Sequence, residues 1–498
     1  MSLASVGWGI AAPGAAMDAA DSSADGTSSL AIDPSPRFEL SPYLYMQFME
    51  PLGTTDGSVA AAWDHLHNRW REGFIEVSKE LAPTLMRWGG CFSSYYRWKE
   101  AVGPRERRQP MLNLLWGGIE SNQVGTTEFV DYCHQVGADA LVCVNFESDG
   151  RKPWMKDPNG NIRVAGPEEA AEWVDYCNSP ESQARLADGL REPCRIPLWQ
   201  IGNETSYDPN GFDCETAAAK TLQFAKAMRK TDPTIKLIGW GDSGWAKRMA
   251  EVAGAELQYL AFHHMYAPGG SNSPLRGNDW RKDPARTWAA LMEAYKPHEA
   301  KIRAMREQAA GTGLPLALTE CHFALPGPNR NSVLSSWAAG VSMARLLNVH
   351  TRNGDLLKIA TAADFCGTRW QNNAILIDGA RAYMQPVARV MSLYRHHVGQ
   401  QALDLQQIPA DLDVTASRTG NKIFLHVVNT QRTRSVPAQV TVAGMTIRSG
   451  SVFEIAVDPD FEVWAETRDV IAPRRKDFPA AGSWSFPPAS VSALELEV

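Results

Sequence analysis

The segment 197–204 combines a strand-forming run with residues that can do chemistry. Its apolar part has the length of a buried strand and ends at Gly202, which lets the backbone turn. The amide of Asn203 and the carboxylate of Glu204 follow at once. In a parallel barrel the carboxyl ends of the strands carry the active site. The segment alone allows an equal alternative, in which Asn203 caps the next helix and Glu204 faces solvent.

A second glutamate, Glu320, also follows directly on an apolar run. In the order of strands given below, Glu204 ends the fourth strand and Glu320 the seventh, on roughly opposite sides of an eight-stranded barrel. Their carboxylates can therefore face each other across the barrel mouth. Retaining glycosidases use two carboxyl groups about 5 Å apart, one as nucleophile and one as acid and base. The pair therefore favours glycoside hydrolysis.

Other polar residues stand where the remaining strands should end. They are Glu50, Arg87, Cys91, Asn145, Asp242, His263, His264, Tyr266 and Gln371. For Arg87, an internal ion pair that orients a glutamate is as good an interpretation as a substrate contact. His263 is more often a hydrogen-bonded histidine of a barrel interior than a general base, because no serine or cysteine nucleophile motif accompanies it.

These residues must be positioned by strands and helices. From about residue 43 to 395, the chain alternates short apolar runs with helical patterns. The predicted strands are Tyr43–Phe48, Thr84–Trp88, Ala140–Asn145, Leu198–Gly202, Ile235–Gly239, Tyr259–His263, Leu316–Thr319 and Leu357–Ala362. Helical patterns between them include Glu128–Val136, Pro167–Cys177, Cys214–Lys230 and Val333–Thr351. Eight βα units predict an α/β fold, a closed (β/α)8 TIM barrel. The sequence has no glycine-rich nucleotide motif that would favour an open sheet.

After about residue 397 the pattern changes to short alternating strands without helices. The predicted strands are Leu412–Ser417, Lys422–Asn429, Ala438–Val442, Val452–Ala456 and Ala493–Val498. This series is typical of an all-β sandwich, for which we expect a supporting role. We therefore predict a mobile leader at 1–36, a catalytic barrel at 37–396 and a jelly-roll-like β-sandwich at 397–498.

Composition excludes several classes of function. The 498 residues carry a formal net charge of -7, which provides no basic field for nucleic acid or an anionic membrane. No apolar run approaches the roughly 20 residues that span a bilayer. The eight cysteines form no CxxC pair, and the cysteines and histidines lack ligand spacing, so we expect no metal and no cofactor. Cysteine usage favours a reducing, cytoplasmic setting; secretion with a processed N-terminus is the alternative.

Tryptophans are concentrated in the barrel region. Several fall at predicted strand ends or in the loops beyond them: Trp88, Trp98, Trp116, Trp154 and Trp370. Indole rings there can stack on sugar faces, whereas core packing is the expected role of Trp199 and Trp240. Aromatic loops beside two opposed glutamates favour a carbohydrate substrate.

Ordered motifs run along most of the chain. They are Tyr45–Glu50, Arg87–Trp98, Gly103-Pro104, Trp116, Glu120–Asn122, Gly125–Phe129, Val144-Asn145, Glu172–Asn178, Trp199–Glu204 and Phe486–Leu496. Each motif is weak alone, but the ordered series resembles glycoside hydrolase family 51, which is best known for α-L-arabinofuranosidases. The chain departs from the family pattern around Glu320, where Thr319 and Cys321 replace the usual Asp and Trp, so we expect an altered sugar pocket.

The resemblance implies roles for individual residues. Glu204 would be the acid/base and Glu320 the nucleophile, and Asn203 would hold the sugar 2-hydroxyl next to the reacting centre. Glu50, Tyr266 and Gln371 would make further sugar contacts. Cys91 and His263 are additional candidates for substrate binding, and Arg87 and Asn145 for support.

The expected function is a retaining, exo-acting α-L-arabinofuranosidase that releases arabinose from plant-type polysaccharides or oligosaccharides. A clan-related retaining β-glycanase, of endoglucanase or xylanase type, is the alternative among enzymes. A catalytically inactive carbohydrate-binding barrel is the alternative from another class, although a binding protein needs no carboxylate pair. The resemblance also implies a homo-oligomer, commonly a hexamer.

Overall fold

The structure, a computed structural model, describes residues 28–266, 272–325 and 332–498. Its strands are, in chain order, β1 Ser28–Glu39, β2 Met46–Met49, β3 Trp63–Asp64, β4 Arg69–Trp70, β5 Leu85–Trp88, β6 Met111–Leu112, β7 Ile119–Glu120, β8 Asp139–Val144, β9 Leu198–Ile201, β10 Lys236–Trp240, β11 Tyr259–Tyr266, β12 Leu316–Phe323, β13 Leu357–Ala360, β14 Asp364–Gly367, β15 Asn373–Asp378, β16 Arg381–Met384, β17 Gln401–Gln407, β18 Leu412–Thr419, β19 Lys422–Asn429, β20 Val436–Val442, β21 Ser449–Ile455, β22 Arg474–Phe478, β23 Ser483–Phe486 and β24 Val491–Glu497. Its helices are α1 Ser58–Ala62, α2 Glu72–Leu81, α3 Thr126–Val136, α4 Pro167–Asn178, α5 Gln183–Ala187, α6 Cys214–Thr231, α7 Ala246–Ala253, α8 Pro284–Met292, α9 Tyr295–Gln308, α10 Trp337–Arg352 and α11 Pro386–His396.

Eight parallel strands form a barrel of the TIM type, which confirms the predicted fold class. They run in the order β2, β5, β8, β9, β10, β11, β12 and β13. Their apolar side chains are buried on both faces because helices cover the outside of the barrel, and this explains the nearly continuous apolar runs in the sequence. The barrel interior is packed with Met46, Leu85, Leu141, Leu198, Ile238, Trp240, Ala261, Ala317 and Ile359.

Two of the barrel strands are longer than predicted. β11 continues to Tyr266 and β12 to Phe323, and the two stay paired with His264 opposite Cys321. Glu320 therefore lies within a strand rather than after it. The extension places Glu320 and His322 on the same face of β12, because side chains alternate along a strand.

A small sheet of β14, β15 and β16, which was not predicted, follows the last barrel strand. The loop between β14 and β15 is tied down by the buried carboxylate of Asp56, which accepts hydrogen bonds from Thr368 N at 2.6 Å, Trp370 N at 3.1 Å and Asn373 Nδ2 at 2.9 Å. The loop is thereby fixed at the carboxyl end of the barrel, where the site lies.

The β-sandwich domain consists of one nine-stranded mixed sheet in the order β22, β21, β24, β19, β18, β17, β1, β20 and β23. β1 pairs antiparallel with β17 and parallel with β20. The predicted leader was therefore wrong at residues 28–36, which supply a strand to this distant sheet, and residues 1–27 lie outside the described part of the chain. The rest of the predicted division into domains stays a proposal. No helix among the described residues is long and apolar enough to cross a bilayer.

Candidate active site

The turn after β9 is held in a specific conformation. Gly202 has φ +79° and Glu204 has φ +53°, a left-handed conformation that costs an L-residue about 1–2 kcal/mol. The buried carboxylate of Asp149 holds this turn by accepting hydrogen bonds from Asn203 N at 3.1 Å and Thr205 Oγ1 at 2.7 Å. These two hydrogen bonds therefore fix the turn, and the turn places the Glu204 side chain at the barrel mouth.

Glu204 and Glu320 come together at the barrel mouth. A carboxylate oxygen of each, together with a ring nitrogen of His263, lies within 4.8 Å of the other two. His263 Nδ1 is 3.1 Å from Glu204 Oε1 and 3.7 Å from Glu320 Oε2. Both carboxyl groups are largely buried, with residue exposures of 8% and 3%. The pair has the short separation that a retaining glycosidase needs.

Arg87 supports this pair from within the barrel. It is fully buried and donates to Glu320 Oε1 at 2.8 Å, Asn203 Oδ1 at 2.6 Å and Gln200 Oε1 at 2.9 Å. The planar guanidinium suits this fork of acceptors. Of the two interpretations of Arg87, the structure supports the ion-pair partner that orients a glutamate. Because Oε1 of Glu320 is bound by Arg87, Oε2 is the oxygen that remains for attack on a substrate.

Burial shifts the pKa values of Glu204 and His263 in opposite directions. It raises the pKa of Glu204 above that of an ordinary glutamate, because the charged form loses water. Burial also lowers the pKa of His263 to about 3, so this imidazole is neutral near pH 7. A neutral ring that donates from Nδ1 to Glu204 accepts at Nε2 from the Thr319 hydroxyl, 2.9 Å away. The arrangement matches a hydrogen-bonded barrel histidine, not a general base.

The pair opens into a pocket of about 460 Å³. Its lining includes the carboxyl groups of Glu50, Glu204, Glu320 and Asp364 and the indoles of Trp116 and Trp370. The two indoles meet edge to face at 5.7 Å between ring centres, and Trp116 Nε1 donates to Glu50 Oε1 at 2.9 Å. Burial and the charge of Glu320 raise the pKa of Glu50 well above its ordinary value.

Cys91 also lines the pocket, next to the acid/base candidate. Its thiol donates to Glu204 Oε2 at 3.5 Å, and Asn203 Nδ2 lies 4.0 Å from the same sulfur. Burial raises the pKa of the Cys91 thiol well above its ordinary value, so the group is a neutral donor. All eight cysteines of the chain are free thiols.

Three predicted site residues lie elsewhere. The Tyr266 hydroxyl contacts Met343 Sδ at 3.6 Å behind the barrel wall, because alternation along β11 turns Met265 into the pocket and Tyr266 away from it. Gln371 does not line the pocket, although both of its neighbours do. Asn145 secures a loop by donating to Arg163 O at 2.7 Å, which agrees with a supporting role. The expected sugar contacts of Tyr266 and Gln371 are therefore not supported by the structure.

Sequence reasoning missed several residues of the site. His322, Asp364 and Asn372 line the pocket, and Asp149 holds the turn that carries Glu204. For His322 the signal was available, since it stands two residues after Glu320 and alternation places both on one face. Asp364 and Asn372 lay beyond the last predicted strand, where no pattern indicated the small sheet.

The only cluster of potential metal ligands found among the described residues consists of Glu204, His263 and Glu320. Arg87 donates to Glu320 at 2.8 Å, so a divalent cation at this point would stand beside a fixed positive charge. The Nδ1 atom of His263 also already bonds the Glu204 carboxylate. The donor set therefore suits an acid/base pair better than a metal centre.

Comparison with known proteins supports a specific family. Residues 77–281 match the family model described as the alpha-L-arabinofuranosidase 1 domain. The chain is 32% identical over 260 residues to a probable alpha-L-arabinofuranosidase C of Aspergillus clavatus, a match that covers 50% of this chain and 46% of that protein. It is also 29% identical over 252 residues to an intracellular exo-alpha-(1->5)-L-arabinofuranosidase of Acetivibrio thermocellus, with 46% of each chain covered. The crystal structure of the GH51 arabinofuranosidase from Xanthomonas axonopodis pv. citri shares the fold, with a TM-score of 0.78, 21% identity and coverage of 94% of this chain and 99% of that one.

The chain is similar to the α-L-arabinofuranosidases of glycoside hydrolase family 51. The matches span about half the length of the curated relatives. The match to the alpha-L-arabinofuranosidase 1 domain includes Arg87, Asn203 and Glu204 but ends before Glu320. The place of Glu320 in this site therefore rests on its geometry beside Glu204.

Proposed function

We propose that the chain is an exo-acting α-L-arabinofuranosidase that hydrolyses its substrate with retention of anomeric configuration. The observation that carries this proposal is the approach of the Glu204 and Glu320 carboxylate oxygens to within 4.8 Å in the lining of a pocket. Inverting enzymes keep their carboxyl groups about 6.5–9.5 Å apart to admit a water. The match to the alpha-L-arabinofuranosidase 1 domain and the similarity to arabinofuranosidase relatives support arabinofuranose as the sugar.

In the proposed reaction, Glu320 Oε2 attacks the anomeric carbon while Glu204 gives its proton to the leaving oxygen. A covalent glycosyl ester on Glu320 results, and Glu204 is left as a carboxylate. Glu204 then takes a proton from water, the hydroxyl adds to the anomeric carbon, and the Glu320 carboxylate leaves. Burial raises the pKa of Glu204 and so favours the acid form needed for the first step.

The neighbouring residues support these roles. Arg87 holds Oε1 of Glu320 and compensates its charge in a buried position. Asn203 Oδ1 is bound by Arg87, so its amide nitrogen is the group directed to a substrate hydroxyl. The pocket volume of about 460 Å³ is in the lower part of the usual range of about 300–1,000 Å³ for ligand sites, which favours one terminal sugar over a long polymer segment.

The test is proton NMR of the first-formed product from an α-L-arabinofuranoside, together with a panel of nitrophenyl furanosides and pyranosides. We expect arabinose of retained configuration and a clear preference for the arabinofuranoside. Inverted product would contradict Glu320 as nucleophile. A preference for glucosides or xylosides would favour the β-glycanase alternative, and no hydrolysis of any member would favour a binding protein.

A further inference from the structure

One wall of the pocket is formed by three polar residues that the proposed reaction does not use. His322 lies on β12, Asp364 begins β14, and Asn372 lies between β14 and β15. Asn372 Nδ2 donates to Asp364 Oδ2 at 2.7 Å, and Asp364 N donates to Asn372 O at 3.2 Å. Asp364 and Asn372 are buried, with exposures of 6% and 3%. The position of these groups is therefore fixed before any ligand binds.

The tautomer of His322 follows from the atoms around its ring. Its Nδ1 lies 2.7 Å from Phe323 O and 3.3 Å from Asn372 Nδ2; because the carbonyl is the nearer atom and only accepts, we place the proton on Nδ1. In the neutral ring, Nε2 is then an acceptor, and it faces Asp364 Oδ1 at 3.7 Å. This distance is too long for a hydrogen bond, and both atoms have lone pairs. A hydroxyl group of a ligand, placed between these two atoms, could donate a hydrogen bond to either of them.

Asn372 adds a third acceptor. Its amide nitrogen is bound to the Asp364 carboxylate, which directs the amide oxygen elsewhere. Among the described residues, no donor lies within hydrogen-bond reach of this buried Oδ1 atom. Buried polar atoms usually have a partner, so the pocket presents an acceptor that a ligand hydroxyl can satisfy.

The wall lies further along β12 than the nucleophile candidate Glu320. His322 stands two residues after Glu320 on the same face of β12, so it lies about 6.6 Å further along the strand. Asp364 and Asn372 lie 3.7 and 3.3 Å from the His322 ring nitrogens, so the three residues together meet a part of the substrate away from its anomeric carbon.

We propose that Asp364, His322 and Asn372 form a subsite that selects the glycon by accepting hydrogen bonds from a hydroxyl remote from the anomeric carbon. This inference rests on the proposed function, and for an arabinofuranoside the remote hydroxyl is the exocyclic one, on C5. The same wall disfavours a sugar with a carboxylate at this position, because it would bring a second carboxyl group against Asp364.

The experiment compares nitrophenyl α-L-arabinofuranoside with its 5-deoxy analogue. The wild-type enzyme should lose about tenfold in kcat/KM on the analogue, as expected for a lost hydrogen bond to a charged group. Asp364→Asn should lose about tenfold on the parent substrate and less than twofold on the analogue, so that the discrimination disappears. Asn372→Ala should reduce the discrimination in the same direction. Asp378→Asn, an exposed carboxylate on β15, is the matched control and should keep the wild-type ratio.

Equal losses on the two substrates in Asp364→Asn and Asn372→Ala would overturn the subsite and leave the proposed function intact. Dissociation constants of methyl α-L-arabinofuranoside and its 5-deoxy analogue, measured by calorimetry, give a readout that needs no catalysis. If no arabinofuranoside is hydrolysed, the proposed function fails, and the ratio of these constants in wild type and Asp364→Asn still decides the subsite. Failure of both compounds to bind the wild-type protein overturns it.

Discussion

Removal of the Glu204 carboxylate should separate the two catalytic roles. In the structure this carboxylate bonds His263 Nδ1 at 3.1 Å and the Cys91 thiol at 3.5 Å. Neither contact holds Glu320, whose Oε1 is bound by Arg87 at 2.8 Å. Glu204→Ala should therefore leave the nucleophile charged and in place, while the leaving group loses its proton donor.

The size of the effect should depend on the leaving group. General acid catalysis contributes about 10²–10⁴-fold, so Glu204→Ala should lose that factor on an arabino-oligosaccharide, whose alcohol leaves poorly. On a dinitrophenyl arabinofuranoside, whose phenolate leaves without a proton, glycosylation should be nearly unaffected. Glu320→Ala should lose activity on both substrates because no covalent intermediate can form.

Azide provides the decisive assay. The carboxylate oxygens of Glu204 and Glu320 approach within 4.8 Å, so truncation of Glu204 opens a space beside the glycosyl ester that a small anion can enter. Azide should accelerate turnover of Glu204→Ala on the activated substrate and yield a glycosyl azide of retained configuration, detected by NMR. Glu172→Ala, which removes a half-exposed carboxylate on α4, is the control and should behave as the wild type.

Two results would refute this division of labour. One is an equal loss in Glu204→Ala and Glu320→Ala on the activated substrate without rescue by azide. The other is the reverse pattern, in which azide rescues Glu320→Ala with a glycosyl azide of retained configuration and Glu204→Ala with an inverted one, because that would make Glu204 the nucleophile.

Further predictions concern the same site. Because burial raises the pKa of Glu204, kcat/KM on poor leaving groups should fall as pH rises through that pKa, and a pH profile of Glu204→Ala should lack this limb. Glu204→Gly should be about 1–2 kcal/mol more stable to urea than Glu204→Ala, since glycine tolerates φ +53°; equal stability would contradict strain at this turn. Arg87→Met should destabilise the fold by about 3–5 kcal/mol, measured by urea unfolding, because Glu320 is left buried without its partner. Prolonged EDTA treatment should leave the rate unchanged, and a loss that zinc or calcium restores would show a metal requirement.

Periodicity along the sequence was enough to predict the barrel. Each of the eight predicted strands overlaps an observed one, because strands buried on both faces need continuous apolar runs whatever the details of packing. The same logic placed Glu204 at a strand end, and the spacing of the strands placed Glu320 across the barrel from it. These features follow from local patterns and the known geometry of a closed barrel.

Other features depend on contacts between distant parts of the chain. β1 pairs with β17 and β20, about 370 and 410 residues away, and nothing local distinguishes it from a flexible terminus. The lengths of β11 and β12 were set by their mutual pairing, and with them the orientation of Tyr266 away from the pocket.

The walls of the pocket were decided by the tertiary structure alone. Asp364 and Asn372 reach the site because Asp56, some 310 residues earlier, fixes the loop between them and the small sheet behind them. Likewise, Arg87 could be either a substrate contact or a support until its three buried acceptors were located. The amino-acid sequence was enough to place the two proposed catalytic carboxylates on their strands, because strand positions follow from the spacing of apolar residues. The polar groups around those carboxylates are positioned by hydrogen bonds between residues far apart in the chain. Such hydrogen bonds leave no periodic pattern in the sequence.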